Sequence, residues 1–191
     1  MIGAPRTRHS IFLVGFMGAG KSTVGRILAQ RLGWAFYDLD VIIEAREHAT
    51  VANIFAQAGE PRFRELERKA LAGLLENELQ RANAVVGLGG GAFAQPENRK
   101  VLQSYGARTV LLNAPIEELR RRCNESGGQR PLAGDAARFE QLFEDRRAAY
   151  RLADFHVETG GKSVEDVAGE IERWIDETET DRKNRKLEVR Q

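Results

Sequence analysis

The octapeptide Gly15-Phe16-Met17-Gly18-Ala19-Gly20-Lys21-Ser22 constrains the fold of this chain more than any other segment. It matches the phosphate-binding pattern G-x-x-x-x-G-K-[ST] and lies between an apolar run typical of a buried strand and a run with helical periodicity. Its glycines let backbone N–H groups surround phosphate oxygens, and the helix start adds the positive end of its dipole. A chance glycine-rich turn is the alternative, and the flanking strand and helix argue against it.

This segment predicts a nucleotide site. Lys21 should reach the β- and γ-phosphates, Ser22 should ligate Mg²⁺, and Thr23 should contact the α-phosphate. ATPases, GTPases and small-molecule kinases share the motif, so it leaves the substrate open. The predicted contacts with the nucleotide come from Gly18, Ala19, Gly20, Lys21, Ser22 and Thr23.

Short apolar runs alternate with longer helical patterns along the rest of the chain. This alternation predicts an α/β fold with a five-stranded parallel sheet, helices on both faces and ligands at the carboxyl ends of the strands. We expect one domain over residues 10–176, a loose leader over 1–9 and a frayed or disordered charged tail over 177–191, both of them dispensable. Strands are predicted at 10–15, 35–38, 84–88, 109–113 and 155–158, and helices at 20–32, 41–46, 51–57, 60–79, 97–104, 116–124, 136–150 and 164–176.

The overall charge and the cysteine content limit the classes of partner. The net charge of the 191 residues is +1, which does not favour nucleic acid or an anionic membrane as a partner. The apolar run at Ile11–Met17 is too short to span a membrane, and a cytoplasmic location is expected. The single cysteine, Cys123, cannot form an intramolecular disulfide, and we interpret it as an incidental thiol near a loop.

Two carboxylates, Asp38 and Asp40, end the second predicted strand. At positions i and i+2 of a strand they would point to the same side, next to the phosphate loop. One can hold Mg²⁺ through its waters and the other can accept a proton from an attacking hydroxyl. Alternatively, one of them caps the following helix.

Further candidates lie on a helix and on a glycine-rich turn. Arg64 and Glu67 are three residues apart, so Glu67 can hold Arg64 for a grip on a carboxylate; an ordinary surface ion pair is the alternative. Gly89, Gly90 and Gly91 follow the third strand, where three glycines suggest that a ligand lies against the backbone. No acidic residue ends that strand, which favours Asp38 for the magnesium role.

The segment around residues 125–135 has glycine pivots and is typical of a lid, in which Arg130 can bring positive charge to the transferring phosphoryl group. An ordinary exposed loop is the alternative. In the helix that follows, Arg146, four residues before Tyr150, can face the cleft; solvent exposure of both Arg146 and Arg147 is the alternative.

Taken together, these residues closely resemble the shikimate kinase family over nearly all of 10–175. The family's motifs are present in order as the phosphate loop, the aspartate pair, Gly59-Glu60 with Phe63, Arg64 and Glu67, the Gly-Gly-Gly-Ala at 89–92, Arg130-Pro131-Leu132, and Arg146 with Tyr150. The resemblance implies a three-layer P-loop fold like that of nucleoside monophosphate kinases. It also implies transfer of phosphate from ATP to the shikimate 3-hydroxyl, for aromatic amino acid biosynthesis.

The resemblance also implies roles for individual residues. Asp40 would bind the substrate hydroxyls and accept the proton, with Lys21 and Arg130 completing the catalytic set. Arg64 and Arg146 would clamp the shikimate carboxylate, and Gly89, Gly90 and Gly91 would contact the substrate through the backbone. Asp38 would lie in the outer shell of Mg²⁺.

The chain departs from the family at two places. Ala133 replaces the usual leucine after Arg-Pro-Leu, and Cys123 stands where the family often has an arginine that stacks on adenine. Lys162, in the loop after the fifth strand, is a weak candidate for the other adenine wall. We expect a monomer, because a chain of this size carries its own core.

Three alternatives compete with a shikimate kinase. A gluconate kinase would share the phosphate loop but not the aspartate pair combined with Phe63-Arg64 and three glycines. A sensor module without turnover would tolerate loss of Lys21, Asp40 or Arg130, all of which are intact. A nucleic-acid-binding NTPase would be expected to interleave aromatic and basic residues, and no such pattern is visible.

Overall fold

The computed structural model describes the backbone of residues 9–125 and 135–188, and side chains as far as residue 180. Five parallel strands form one sheet in the order β2-β3-β1-β4-β5, flanked by helices, which confirms the predicted α/β fold. The strands are β1 Ser10–Val14, β2 Ala35–Asp38, β3 Ala84–Gly87, β4 Arg108–Asn113 and β5 Phe155–Glu158. The helices are α1 Lys21–Leu32, α2 Leu39–Glu47, α3 Val51–Gly73, α4 Pro96–Tyr105, α5 Ile116–Glu125, α6 Ala136–Tyr150 and α7 Val164–Glu188, with a π-helical turn at Leu74–Glu78.

The central strand β1 is buried along its whole length, because β3 and β4 pair with its two edges and helices flank the sheet. Its continuous apolar run is the pattern expected of a strand inside a parallel sheet. Phe12 pairs with Val86 on one side and with Thr109 on the other, and its side chain is fully buried. The core therefore surrounds the strand that leads into the phosphate loop.

The register of the sheet brings three predicted functional segments to one edge. Asp38 of β2 pairs with Gly87 of β3, and Gly87 pairs with Leu13 of β1. The segments that follow these strands therefore leave the sheet side by side. They are the phosphate loop after β1, the aspartate pair after β2 and the three glycines after β3.

Helix α3 contains a break at Gly59, where φ is 74° and ψ is 174°. The predicted interruption between the helices at 51–57 and 60–79 therefore lies at this glycine. Beyond the break, the helix turns its buried face, which includes Phe63, Arg64 and Glu67, towards the interior. The break thus sets the direction of the segment that carries Arg64.

The last helix is longer than predicted, because α7 continues to Glu188. The sequence predicted a frayed or disordered tail from residue 177, and the backbone of residues 177–188 is helical in the structure. The buried guanidinium of Arg108 accounts for part of the difference: it donates to the Thr178 hydroxyl at 3.0 Å and lies over the Trp174 ring. Truncation after residue 176 would remove the Thr178 hydroxyl, which accepts a hydrogen bond from the buried Arg108 guanidinium.

Within the part of the chain that the structure describes, none of the helices combines the length and the apolar character needed to cross a membrane.

Candidate active site

The phosphate loop connects β1 to α1, and helix α1 begins at Lys21. The Lys21 ammonium donates hydrogen bonds to the carbonyls of Gly15 at 2.9 Å and Phe16 at 3.0 Å. Gly20 occupies the N-cap and has no side chain to cap the helix. The first N–H groups of α1 are therefore left for an anion, as a phosphate site requires.

The underside of this loop rests on helix α5. Gly18 has a φ of 81°, and a Cβ at this position would lie 2.6 Å from the Leu119 carbonyl oxygen and 2.9 Å from the Cys123 sulfur. Cys123 itself is buried. Its thiol therefore packs beneath the phosphate loop, which the interpretation as an incidental thiol near a loop missed.

Asp38 links the phosphate loop to helix α2. Its Oδ2 accepts a hydrogen bond of 2.5 Å from the Ser22 hydroxyl, and its Oδ1 caps α2 by accepting from the Asp40 N–H at 3.1 Å. One carboxylate thus serves both the loop and the cap. Asp40 lies in the first turn of α2, so the expectation that both aspartates share one side of a strand is wrong.

Asp40 nevertheless reaches the glycine-rich turn. A Cβ at Gly89 would lie 2.5 Å from Asp40 Oδ1 and 3.1 Å from Glu67 Oε1. Two carboxylates, one from α2 and one from α3, therefore meet over this glycine. The close approach explains in part why the turn has no side chain here.

Arg64 is held in place by two glutamates. Its Nη1 donates to both oxygens of Glu67, at 3.1 and 2.9 Å, and its Nε and Nη2 donate to Glu60 Oε1 at 3.1 and 2.8 Å. Arg64 and Glu67 are both buried, so the predicted pair is not an ordinary surface ion pair. A Cβ at Gly91 would lie 2.6 Å from Arg64 Nη1, and the guanidinium therefore lies directly against the turn.

The charged residues around the glycine turn change the pKa of Glu67. Burial raises the pKa of the Glu67 carboxyl to about 7, and the nearby charge of Asp40 acts in the same direction. The guanidinium groups of Arg64 and Arg146 favour its ionised form but do not outweigh the loss of hydration. Sequence spacing suggests Glu67 as a support for Arg64, whereas the raised pKa of Glu67 follows from its burial and its neighbours in the folded protein.

Helix α6 presents Arg146, rather than Arg147, to the same turn. A Cβ at Gly90 would lie 3.7 Å from Arg146 Nη1, and the guanidinium carbon lies 5.9 Å from the centre of the Phe16 ring in the phosphate loop. Arg147 is exposed and pairs with Glu144 at 3.3 Å. Arg146, four residues before Tyr150, is thus the arginine beside the turn, and Arg147 is the solvent-exposed one.

Other predicted residues lie apart from this cluster or outside the described part of the chain. The ammonium of Lys162 contacts Glu170 at 2.6 Å. Arg122, next to Cys123, donates to the carbonyl and hydroxyl oxygens of Thr159 at 2.9 and 3.1 Å, so it ties α5 to the loop after β5. Arg130, Ala133 and most of the predicted lid at 125–135 fall outside the described residues.

Comparison with known proteins gives one consistent result. A model of the shikimate kinase family matches residues 17–176. A shikimate kinase from Geobacter metallireducens is 42% identical over 178 residues, covering 92% of this chain and 96% of the relative.

Two solved structures are similar over most of the chain. A shikimate kinase from Acinetobacter baumannii in complex with shikimate has a TM-score of 0.79 and 36% identity, covering 90% of this chain and 95% of its own. A shikimate kinase from Aquifex aeolicus has a TM-score of 0.75 and 37% identity, covering 87% of this chain and 96% of its own.

Proposed function

This chain belongs to the shikimate kinase family, and on that premise we propose that it transfers the γ-phosphoryl group of ATP to the 3-hydroxyl of shikimate. The products are shikimate 3-phosphate and ADP, and the reaction serves the synthesis of aromatic amino acids through chorismate. We further propose that the enzyme is a monomer located in the cytoplasm.

One observation carries the choice of substrate: three consecutive glycines each lie against a different charged side chain. The neighbours are Asp40 at Gly89, Arg146 at Gly90 and Arg64 at Gly91. A carboxylate base and two guanidinium groups on one short turn suit a small acid that carries hydroxyls. Guanidinium groups recognise a carboxylate by paired hydrogen bonds, and a carboxylate can accept the proton of an attacking hydroxyl.

Each of the charged side chains has one task in the proposed catalytic sequence. The oxygen of the 3-hydroxyl attacks the γ-phosphorus, and Asp40 accepts the hydroxyl proton. The bond between the γ-phosphorus and the β–γ bridging oxygen breaks at the same time. Lys21 stabilises the charge that develops on the β- and γ-phosphates. Arg64 and Arg146 hold the substrate carboxylate, so the hydroxyl is fixed in reach of the phosphate. From the family resemblance, Arg130 adds a further positive charge.

Ser22 at the start of α1 and Asp38 at the end of β2 fit a magnesium ion. The Ser22 hydroxyl and the Asp38 carboxylate lie 2.5 Å apart, and Mg²⁺ prefers such oxygen ligands. Over residues 9–125 and 135–180, no group of three or more His, Cys, Asp or Glu side chains is arranged to hold a metal ion. Mg²⁺ commonly binds through one or two protein oxygens, substrate phosphates and waters, and we propose that Ser22 and Asp38 supply the protein part. When bound, the ion neutralises charge on the phosphates.

The test is ADP release from Mg·ATP with shikimate, with gluconate and without an acceptor. We expect turnover with shikimate alone. Turnover with gluconate would support a sugar-acid kinase instead, and tight ATP binding without turnover would support a sensor module.

Gly91→Ala should weaken shikimate binding by roughly 10- to 100-fold, because small displacements of a positioning group have effects of this size. The new Cβ would lie 2.6 Å from Arg64 Nη1 and 2.8 Å from its Cζ, so the guanidinium must move. Titration calorimetry with shikimate and with ATP measures the effect, and ATP affinity should stay within about twofold. Gly87→Ala is the matched control, since its Cβ meets no atom closer than 3.7 Å. Unchanged shikimate affinity in Gly91→Ala would exclude Arg64 from the clamp.

The affinity for shikimate should fall several-fold between about pH 6 and about pH 8, because Glu67 titrates in this range. A bound carboxylate adds negative charge beside Glu67, so binding favours the protonated form that predominates at lower pH. Glu67→Gln cannot titrate and should flatten this dependence. Dissociation constants measured across the pH range in both proteins provide the test, and an equal slope in the variant would assign the titration to another group.

A further inference from the structure

Tyr150 is buried at the end of helix α6, and the catalytic sequence above gives it no task. It follows Arg146 by four residues, which places both side chains on one face of the helix. Its hydroxyl donates a hydrogen bond to the Gly90 carbonyl, and it accepts one from Arg146. A single hydroxyl therefore connects one arm of the proposed clamp to the backbone of the glycine turn.

This hydroxyl remains protonated at any working pH. Burial raises the pKa of Tyr150 to about 12, and the positive charge of Arg146 only partly opposes that effect. The group can therefore donate to Gly90 and accept from Arg146 at the same time, as a phenol with one proton and free lone pairs does.

The downstream part of the turn is held from helix α4. The buried Asn98 donates to the Ala92 carbonyl at 3.0 Å, and Arg99 donates to the carbonyls of Phe93 and Ala94 at 2.8 Å each. Tyr150 contacts the turn from helix α6, two residues earlier. The hydrogen bond at Gly90 thus joins the turn to the helix that carries Arg146.

The peptide between Gly90 and Gly91 is planar and trans, so the hydrogen bond to its carbonyl also fixes the direction of its N–H group. The carbonyl of Gly90 and the N–H of Gly91 point in opposite directions across the same peptide plane. With its carbonyl held by Tyr150, the peptide presents the Gly91 N–H on the other side. Loss of the hydroxyl would free both this N–H and the guanidinium of Arg146.

We propose that Tyr150 is a positioning residue for shikimate, which aligns Arg146 with the substrate carboxylate and fixes the Gly90–Gly91 peptide. This inference rests on the proposed function. It assigns a task to the tyrosine of the Arg-x-x-x-Tyr motif, and it predicts an effect on the acid substrate that does not extend to ATP.

The test replaces Tyr150 by Phe, which keeps the buried ring and removes the hydroxyl. We expect the dissociation constant and KM for shikimate to rise about tenfold, as for the loss of a hydrogen bond to a charged group, with ATP affinity within about twofold. Tyr105→Phe is the matched control, because its hydroxyl also donates to a carbonyl, that of Leu79 at 3.2 Å, away from the site. This control should leave shikimate binding unchanged.

A double-mutant cycle with Arg146→Lys separates positioning from simple stability. If Tyr150 acts through Arg146, the penalties of the two substitutions for shikimate binding are less than additive. Equal weakening of ATP and shikimate, or unchanged shikimate affinity in Tyr150→Phe, would each overturn the proposal. Additive penalties would overturn the alignment of Arg146 by Tyr150. A parent enzyme that fails to bind shikimate would overturn the proposed function and the inference with it.

The unsubstituted protein offers a second measurement in case Tyr150→Phe does not fold. The chain has three tyrosines, and ¹³C labelling at Cζ reports on each hydroxyl. Saturating shikimate should shift the Tyr150 signal through Arg146 and leave that of Tyr105 in place. A Tyr150 signal that does not respond to shikimate would contradict the proposal.

Discussion

Asp40→Asn is expected to lower kcat by about 10²- to 10⁴-fold, the range contributed by a positioned general base. The asparagine side chain would keep nearly the shape of the carboxylate but could not take the proton of the attacking hydroxyl. The side chain of Asp40 lies against Gly89 and near Glu67, whereas the groups that hold Lys21 are the carbonyls of Gly15 and Phe16. Binding of ATP should therefore stay within about twofold, while the chemical step slows.

Rapid-quench single-turnover kinetics separates the chemical step from binding, and titration calorimetry gives both affinities. Asp145→Asn is the matched control, because this carboxylate is exposed on α6 and accepts only from Gln141 at 2.8 Å among the described contacts. Its kcat should equal that of the parent. A fast single turnover in Asp40→Asn combined with weak ATP binding would remove Asp40 from the role of base.

The ends of strands β1 and β3 were predictable because, at each of them, an apolar run ends and a glycine-rich segment begins. The phosphate-loop pattern starts where the apolar run of β1 ends, and the three glycines start where that of β3 ends. Parallel strands bring such ends to one edge of the sheet. The neighbourhood of the phosphate loop, the aspartate pair and the glycine turn could thus be inferred from the sequence, whereas Arg64, on helix α3, was assigned to the substrate only through the family resemblance.

Contacts between segments distant in sequence were not predictable from spacing. Nothing local places Cys123 beneath Gly18, or the Tyr150 hydroxyl on the Gly90 carbonyl, since these pairs depend on how α5 and α6 pack. The end of α7 was missed for the same reason. Its charged sequence is typical of a tail, and its contact with the buried Arg108 comes from β4.

The position of Asp40 shows where prediction from strand alternation fails. Alternation along a strand placed it on the same side as Asp38, but the chain turns into α2 directly after Asp38. The Asp38 carboxylate itself caps that helix, so the residue expected to share its face starts a different element. The prediction that Asp40 lies near the phosphate loop still stands, because the N terminus of α2 lies at the same edge of the sheet.

Arg64→Ala should raise the dissociation constant for shikimate by about 10²-fold or more, the range for truncating one partner of a buried, hydrogen-bonded charge pair. ATP affinity should change much less, because Arg64 lies at Gly91 and not in the phosphate loop. Arg62→Ala is the matched control: this arginine is two residues away on the same helix, exposed, and paired with Glu65 at 2.8 Å. Equal weakening of ATP and shikimate by Arg64→Ala would exclude Arg64 from the acid clamp.

The same substitution also has a cost in stability that depends on pH. Removing Arg64 leaves Glu67 buried without its guanidinium partner, which costs roughly 3–5 kcal/mol when the carboxylate must remain charged. The pKa of Glu67 is already raised to about 7 from 4.5, and losing Arg64 raises it further. A carboxyl with a raised folded-state pKa favours the folded state when protonated and loses that contribution as the pH rises through the folded pKa. Thermal unfolding should therefore show a larger deficit for Arg64→Ala above neutral pH than below it.

The double variant Arg64→Ala with Glu67→Gln distinguishes the effect of Arg64 on shikimate affinity from its effect on stability. The second substitution removes the buried charge, so the double variant should regain most of the stability that Arg64→Ala loses above neutral pH. It should not regain affinity for shikimate, because the guanidinium that we propose contacts the substrate carboxylate is still absent. Recovery of shikimate affinity together with stability would mean that Arg64 serves only to neutralise Glu67, and the clamp would then depend on Arg146 alone.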